Sequence, residues 1–179
     1  DLNRVVEGML AIIRSLIGDG VDLVWRPSEA PCPVMVDTAQ IEKVLTKPCL
    51  NAREAIDGSG TIVIRVRPVL AGERLETGIA GLQQRDLVEL AVIDTGKGIL
   101  PVHRPHIFEP FYTTKAVGQG SGLGLSTVYG IVKQHRGVID FDTKPGIGSI
   151  FRIFLPMVAE TGDKPHADKD TSEGSADRP

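Results

Sequence analysis

The chain lacks several things, and each absence narrows the reading. No apolar run is long enough to cross a membrane, and no secretory signal is visible. The two cysteines, Cys32 and Cys49, form no CxxC pair, so neither a cysteine metal site nor a disulfide framework is expected. Both read as small buried apolar side chains. An excess of charge of one sign is also missing. Twenty basic and 23 acidic residues leave a formal net charge of −3, which offers no basic surface for nucleic acid. Of the four histidines (His103, His106, His135 and His166), His103 and His106 have no carboxylate or cysteine partner at metal-ligand spacing. What remains is a soluble domain of a reducing compartment, its 179 residues sufficient for one core and a tail.

Hydrophobic periodicity sets the expected order of elements. Leu2, Val5, Val6, Met9, Leu10, Ile13, Leu16 and Ile17 recur at helical spacing, with Asp1 as cap and Gly18-Asp19-Gly20 as stop. Val21–Arg26 reads as a strand, 27–33 as a loop and Val34–Val36 as a short strand. Asp37 and Gln40 resemble a capping box ahead of a helix with Ile41, Val44, Leu45, Cys49, Ala52 and Ile56 on its apolar side. Gly58-Ser59-Gly60 closes it. Thr61–Arg67 alternates as a half-buried strand, and 68–86 reads as an exposed connection. Leu87–Ile93 is an apolar strand that delivers Asp94. Leu123–Gln134 reads as a helix, and 137–143 with 149–155 as a hairpin around Lys144-Pro145-Gly146. Residues 159–179 are too polar to bury a core, so the expected domain is 1–158 with a disordered tail. The fold class predicted is α+β: a two-layer sandwich, its mixed sheet covered by helices on one face.

The densest information lies at 94–124, which reads DTGKGI, IFEPFYTTK and GQGSGLGL in turn. Two glycine-rich loops enclose an aromatic segment. Glycine lets backbone N–H groups approach a phosphate closely, and a helix N-terminus adds a favourable dipole. The pattern predicts a nucleotide site with a mobile lid between residues 99 and 122.

Asn51-Ala52-Arg53-Glu54-Ala55, DTGKGI, IFEPFYTTK and GSGLGLSTVYGIVKQ resemble the N, G1, F and G2 boxes of sensor histidine kinase catalytic domains. These are Bergerat-fold ATPases, a superfamily shared with gyrase, Hsp90 and MutL proteins. The likeness runs from about residue 1 to 156, and STVYGIVKQ is most like the nitrogen-regulatory and hybrid-kinase branch. The resemblance implies ATP and Mg²⁺ as cofactors. It implies that Asp94, beside Gly96, Gly98 and Ile99, reads the adenine N6 amine, with Ser149 binding adenine directly or through water. Asn51 is the implied Mg²⁺ ligand, followed on the same face by Glu54 and Ala55. Glu54 orders a metal-bound water or is a solvated helix charge. Gly120, Ser121, Gly122, Leu123 and Gly124 would offer amides to the phosphates, and Lys115 would pair with the β- or γ-phosphate. Phe108, Phe111 and Tyr112 are expected to pack the lid, and His103 and His106 to lie on its surface.

The same resemblance implies a protein-histidine kinase of a two-component system, in the cytoplasm or on the cytoplasmic side of a membrane-bound sensor. Its partners would be a phosphoacceptor and dimerisation domain and a response regulator. No nucleic acid and no membrane contact are expected. None of the four histidines sits in a phosphoacceptor context, so no catalytic nucleophile is expected here and the chain alone would not autophosphorylate.

Two residues depart from the family. Relatives usually read NLxxNA where this chain reads Lys47-Pro48-Cys49-Leu50-Asn51-Ala52. Lys47 would oppose a divalent cation or bind a phosphate. Pro48 removes the hydrogen bond to the Val44 carbonyl, so a kink at 44–48 that displaces Asn51 is expected. Two alternatives follow: a pseudokinase with a degraded metal site, and a hydrolytic ATPase of the gyrase type. The second would need a carboxylate base where Lys47 stands.

Overall fold

A computed structural model describes residues 1–75, 84–115 and 120–158. The expectation of a disordered tail over 159–179 falls outside the described residues, as does part of the 68–86 connection.

Helix α1 (Leu2–Ile17) starts at Asp1, whose carboxylate accepts the N–H of Asn3 (3.1 Å) and of Cys32 (3.2 Å). The cap therefore also ties down the loop that follows strand β1 (Val21–Arg26). Helix α2 (Thr38–Ala55) starts at Asp37, which accepts from Ala39 and Gln40 N–H. Only half of the expected capping box forms. The Asp37 N–H goes instead to His135 Nε2 at 3.1 Å, and Gln40 Oε1 is buried without a partner. Strands β2 (Gly60–Val69) and β3 (Leu87–Asp94) follow, then helix α3 (Gly124–Gln134) and the hairpin β4 (Val138–Lys144) and β5 (Gly148–Pro156).

The strands form one mixed sheet in the order β1-β2-β3-β5-β4, with β1 parallel to β2 and every other pair antiparallel. Ile62, Ile64 and Val66 face Val92, Leu90, Ile153 and Leu155 in one layer. Against them pack Leu2, Val6 and Ile13 of α1, Val44 and Leu45 of α2, and Val128 and Val132 of α3. The α+β sandwich with helices on one face is as the sequence predicts. Burial of each such side chain contributes about 1.5–3 kcal/mol.

Two expectations need correction. Val34–Val36 is no strand; it contributes one isolated bridge, Val34 to Met157. The connection after Arg67 is not all exposed. β2 continues to Val69, which is buried with Leu87 and Phe154 in a second cluster flanked by Leu75. Pro48 lies inside α2, which runs from Thr38 to Ala55, and is buried on its apolar side. Packing of Val44, Pro48, Cys49 and Ala52 outweighs the local cost of the proline, about 3 kcal/mol in an ordinary helix.

On the sheet face away from the helices, Glu89 is 2% exposed and paired with Arg65 (2.7 Å) and Arg67 (3.1 Å). Both cysteines are buried, as expected, and burial pushes the Cys49 thiol up to about 12.

Candidate functional site

A cavity of about 940 Å³ opens between α2, the end of β3, the segment 97–115 and the start of α3. Every sequence-predicted site residue lines it except Gly96 and Leu123. Those two act from behind, as described below.

Asp94 ends β3, where the register sets it opposite Ser149 of β5. It is only 6% exposed, and burial pushes its carboxyl above the ordinary carboxylate range. The backbone N–H groups of Gly96 and Ser149 work against that rise, the former donating to Oδ1 at 2.8 Å. A carboxylate held this way is a fixed acceptor in a poorly hydrated wall, suited to an N–H-bearing heterocycle.

Behind Ser149 lies Thr143, which sequence reasoning missed. Its hydroxyl accepts the Ile99 N–H (2.8 Å) and contacts the Gly148 carbonyl (3.1 Å) and Ser149 Oγ (2.9 Å). The one Thr143 hydroxyl proton goes either to the Gly148 carbonyl or to Ser149 Oγ. When it goes to Gly148, Ser149 donates to Thr143 and keeps its lone pairs for the cavity.

Gly96 is required by contact. A Cβ there would lie 2.7 Å from the Ala55 backbone. The close approach lets Lys97 N–H bond the Ala55 carbonyl at 2.8 Å, which caps the end of α2 and sets its distance from Asp94. Asn51 and Glu54, on the last turns of α2, thereby face the cavity, and Pro48 does not move Asn51 away from it.

Glu54 pairs with Lys115 across the cavity. Gly122 has φ 64°, in the left-handed region, and a Cβ there would run into the Phe111 backbone. Its carbonyl accepts the Phe111 N–H at 3.0 Å. Phe111 itself sits at φ 68°, a costly angle for an aromatic residue. It does not pack inward as expected but stands 74% exposed. Phe108 does pack, against Tyr129 and edge-on to Phe141, which stacks on the cavity-lining Phe151. Tyr112 lines the cavity with His103, which is half-buried, their polar atoms 2.6 Å apart. His106 pairs with Glu109 outside the lining set.

Helix α3 starts at the cavity with Leu123 as its N-cap, which offers no side-chain acceptor. The first-turn N–H groups thus lack a side-chain cap, which favours an anion. Lys47, Lys97 and Lys115 line the cavity against the carboxylates of Glu54 and Asp94. Asn51 supplies one neutral oxygen. Among the described residues no group of three or more His, Cys, Asp or Glu side chains could hold a metal alone.

Residues 36–159 match the family model described as histidine kinase-, DNA gyrase B-, and HSP90-like ATPase. The chain is 39% identical over 160 residues to the sensor kinase CckA of Brucella abortus, covering 89% of this chain and 17% of that one. It is 32% identical over 165 residues to the sensor histidine kinase ZraS of Klebsiella oxytoca, covering 92% of this chain and 32% of that one. It therefore spans no more than a third of either relative. The mycobacterial sensor histidine kinase MprB has the same fold, with a TM-score of 0.70 at 24% identity over 88% of this chain and 96% of that one.

Proposed function

The chain belongs to the histidine kinase-, DNA gyrase B-, and HSP90-like ATPase family, and from that premise we propose that it is the ATP-binding catalytic domain of a two-component sensor histidine kinase. The single observation that carries the reading is the buried Asp94 carboxylate. It stands at one side of a cavity whose other side is the uncapped start of α3. Asp94 accepts the adenine N6 amine, and Ser149 adds a second polar contact. Gly120, Ser121, Gly122 and Gly124 bring backbone amides to the phosphates, and Lys115 supplies a cation. Residues 1–158 form the nucleotide-binding unit and 159–179 a polar tail.

Asn51 fits Mg²⁺ through its side-chain oxygen, provided the triphosphate supplies further oxygens, since magnesium prefers oxygen ligands and keeps several waters. Bound there, the cation neutralises charge on the phosphates. The chain's own part is to orient the triphosphate, exclude water from its base end and leave the terminal phosphorus open to a nucleophile. That nucleophile is a histidine Nε2 on a dimerisation domain outside this chain. A P–N bond forms, the P–O bond to the ADP oxygen breaks, and a neighbouring group takes the imidazole proton. A response regulator receives the phosphoryl group next. On this reading the chain works in the cytoplasm or as the cytoplasmic part of a membrane-bound sensor. Among the described residues no helix is long and apolar enough to cross a membrane.

The test is label transfer. The chain is mixed with γ-labelled ATP and the separately produced dimerisation domain of its full-length protein. Label on that domain's histidine, lost in Asp94→Ala, is the expected result. Label released only as free phosphate would overturn the reading in favour of a hydrolase.

A further inference from the structure

We propose that Lys47 binds the terminal phosphate of a nucleoside triphosphate and supplies charge neutralisation that otherwise needs the divalent cation. The proposal rests on the nucleotide reading of the same cavity.

Helix α2 acts as a ruler along that cavity. Its end is fixed at the base side, where Ala55 meets Gly96 and Lys97 next to Asp94. Asn51 lies one turn back and Lys47 two turns back, about 12 Å from Ala55 at 1.5 Å per residue. All three line the cavity. A ligand that puts its base on Asp94 and its middle phosphates near Asn51 brings its far end to Lys47.

The stem of Lys47 reaches the start of α3. Its Cδ is 3.9 Å from the Cβ position of Gly124, the first residue of α3. An ammonium and the positive end of a helix dipole therefore converge on one region of the cavity. No carboxylate lies within salt-bridge distance of Lys47 among the described residues. The Glu54 carboxylate is already matched by Lys115, and the other cavity carboxylate, Asp94, belongs to the base end. Two positive features brought together without an anion repel each other. A terminal phosphate, with up to two negative charges, satisfies both.

Two consequences follow. The chain binds ATP without a divalent cation, and without one it favours ATP over ADP. Calorimetric titrations of the whole chain with ATP and with ADP, in Mg²⁺ and in EDTA, test both. Lys47→Met keeps the stem that packs on Gly124 and removes the charge; Lys47→Arg keeps the charge. We expect the unaltered chain to bind ATP in EDTA. Lys47→Met should lose ATP affinity there at least tenfold while ADP affinity changes less than twofold, and Lys47→Arg should restore most of it. Unchanged ATP affinity in Lys47→Met, or equal losses for ATP and ADP, overturns the role of Lys47. So does ATP binding by the unaltered chain in Mg²⁺ alone, which leaves the nucleotide reading standing. No binding of either nucleotide in either buffer overturns the nucleotide reading itself, and the role of Lys47 with it.

Discussion

Glu54 and Lys115 form an ion pair that joins α2 to the segment just ahead of the second glycine loop, across the cavity each helps to line. Both side chains are partly exposed, so the pair contributes little to stability, about 0–1 kcal/mol. Its effect is on what enters. A lysine held by a carboxylate must give up part of that contact to meet a phosphate, so the pair competes with the ligand.

Glu54→Gln should therefore leave the melting temperature nearly unchanged and tighten ATP binding in EDTA by roughly two- to fivefold, the equivalent of about 1 kcal/mol or less. Lys115→Ala should weaken it. Calorimetry at low salt reads both. Equal affinities in Glu54→Gln and the unaltered chain would show that the pair does not compete with the ligand.

Asp94→Asn separates stability from binding. Burial raises the carboxyl above its unfolded value, so the folded state holds its proton more tightly than the unfolded chain. Stability from this group is greatest below the unfolded value of 3.8. It falls as pH rises through the raised folded value. At neutral pH the charge is a net cost that asparagine lacks, while an amide oxygen can still accept from Gly96. The variant should melt at or above the temperature of the unaltered chain at pH 7, with the gap closing toward pH 4. It should lose ATP affinity at least tenfold. A lower melting temperature at pH 7 would show that the two backbone N–H groups outweigh burial.

Gly122→Ala meets two obstacles, a left-handed backbone angle and the Phe111 backbone. It should cost about 1–3 kcal/mol and release the Phe111 N–H from the Gly122 carbonyl. Protease sensitivity near residue 111 should rise and ATP binding should weaken. Unchanged cleavage and affinity would mean that the junction is not needed.

Glu89→Ala tests the other face of the sheet. It removes the carboxylate shared by Arg65 and Arg67 and should cost about 3 kcal/mol, the lower end for a broken buried pair because both arginines reach solvent. ATP affinity measured well below the melting temperature should not change. A stability loss under 1 kcal/mol, by chemical denaturation, would mean that water replaces the arginines' partner.

The pattern of what could be read from sequence follows the range of the interactions. Strands and helices with clear periodicity, such as Leu87–Asp94 and Leu2–Ile17, were legible because neighbours along the chain decide them. Asp37 was legible as a cap for Ala39 and Gln40. Its bond to His135 was not, since that partner lies 98 residues away. Val34 had the composition of a strand but no long neighbour to pair with. Pro48 was read by its local penalty, whereas packing around Val44 and Ala52 decided the outcome. In the site, the motifs contain most of the lining residues but not Leu100, His103 or Phe151. They were silent on Thr143, which reaches Ile99 and Ser149 only after β4 folds onto β5, and on His103, drawn in by Tyr112.

Helix α2 is the crossover between β1 and β2, the only parallel neighbours among the described strands. Its apolar side, with Val44 and Leu45, packs on the same sheet face as α1 and α3, which sets the side of the sheet on which every group it carries lies. Rotation is the remaining freedom, and Ala55 against Gly96 removes it. Each residue inserted within α2 turns all that precedes it by about 100° relative to that anchor. Length changes should therefore be fatal to function between Lys47 and Ala55 and be tolerated in the exposed turn 57–59 just past that anchor. Reading-frame-preserving insertions and deletions would mark the boundary between scaffold and ruler more sharply than any series of point changes.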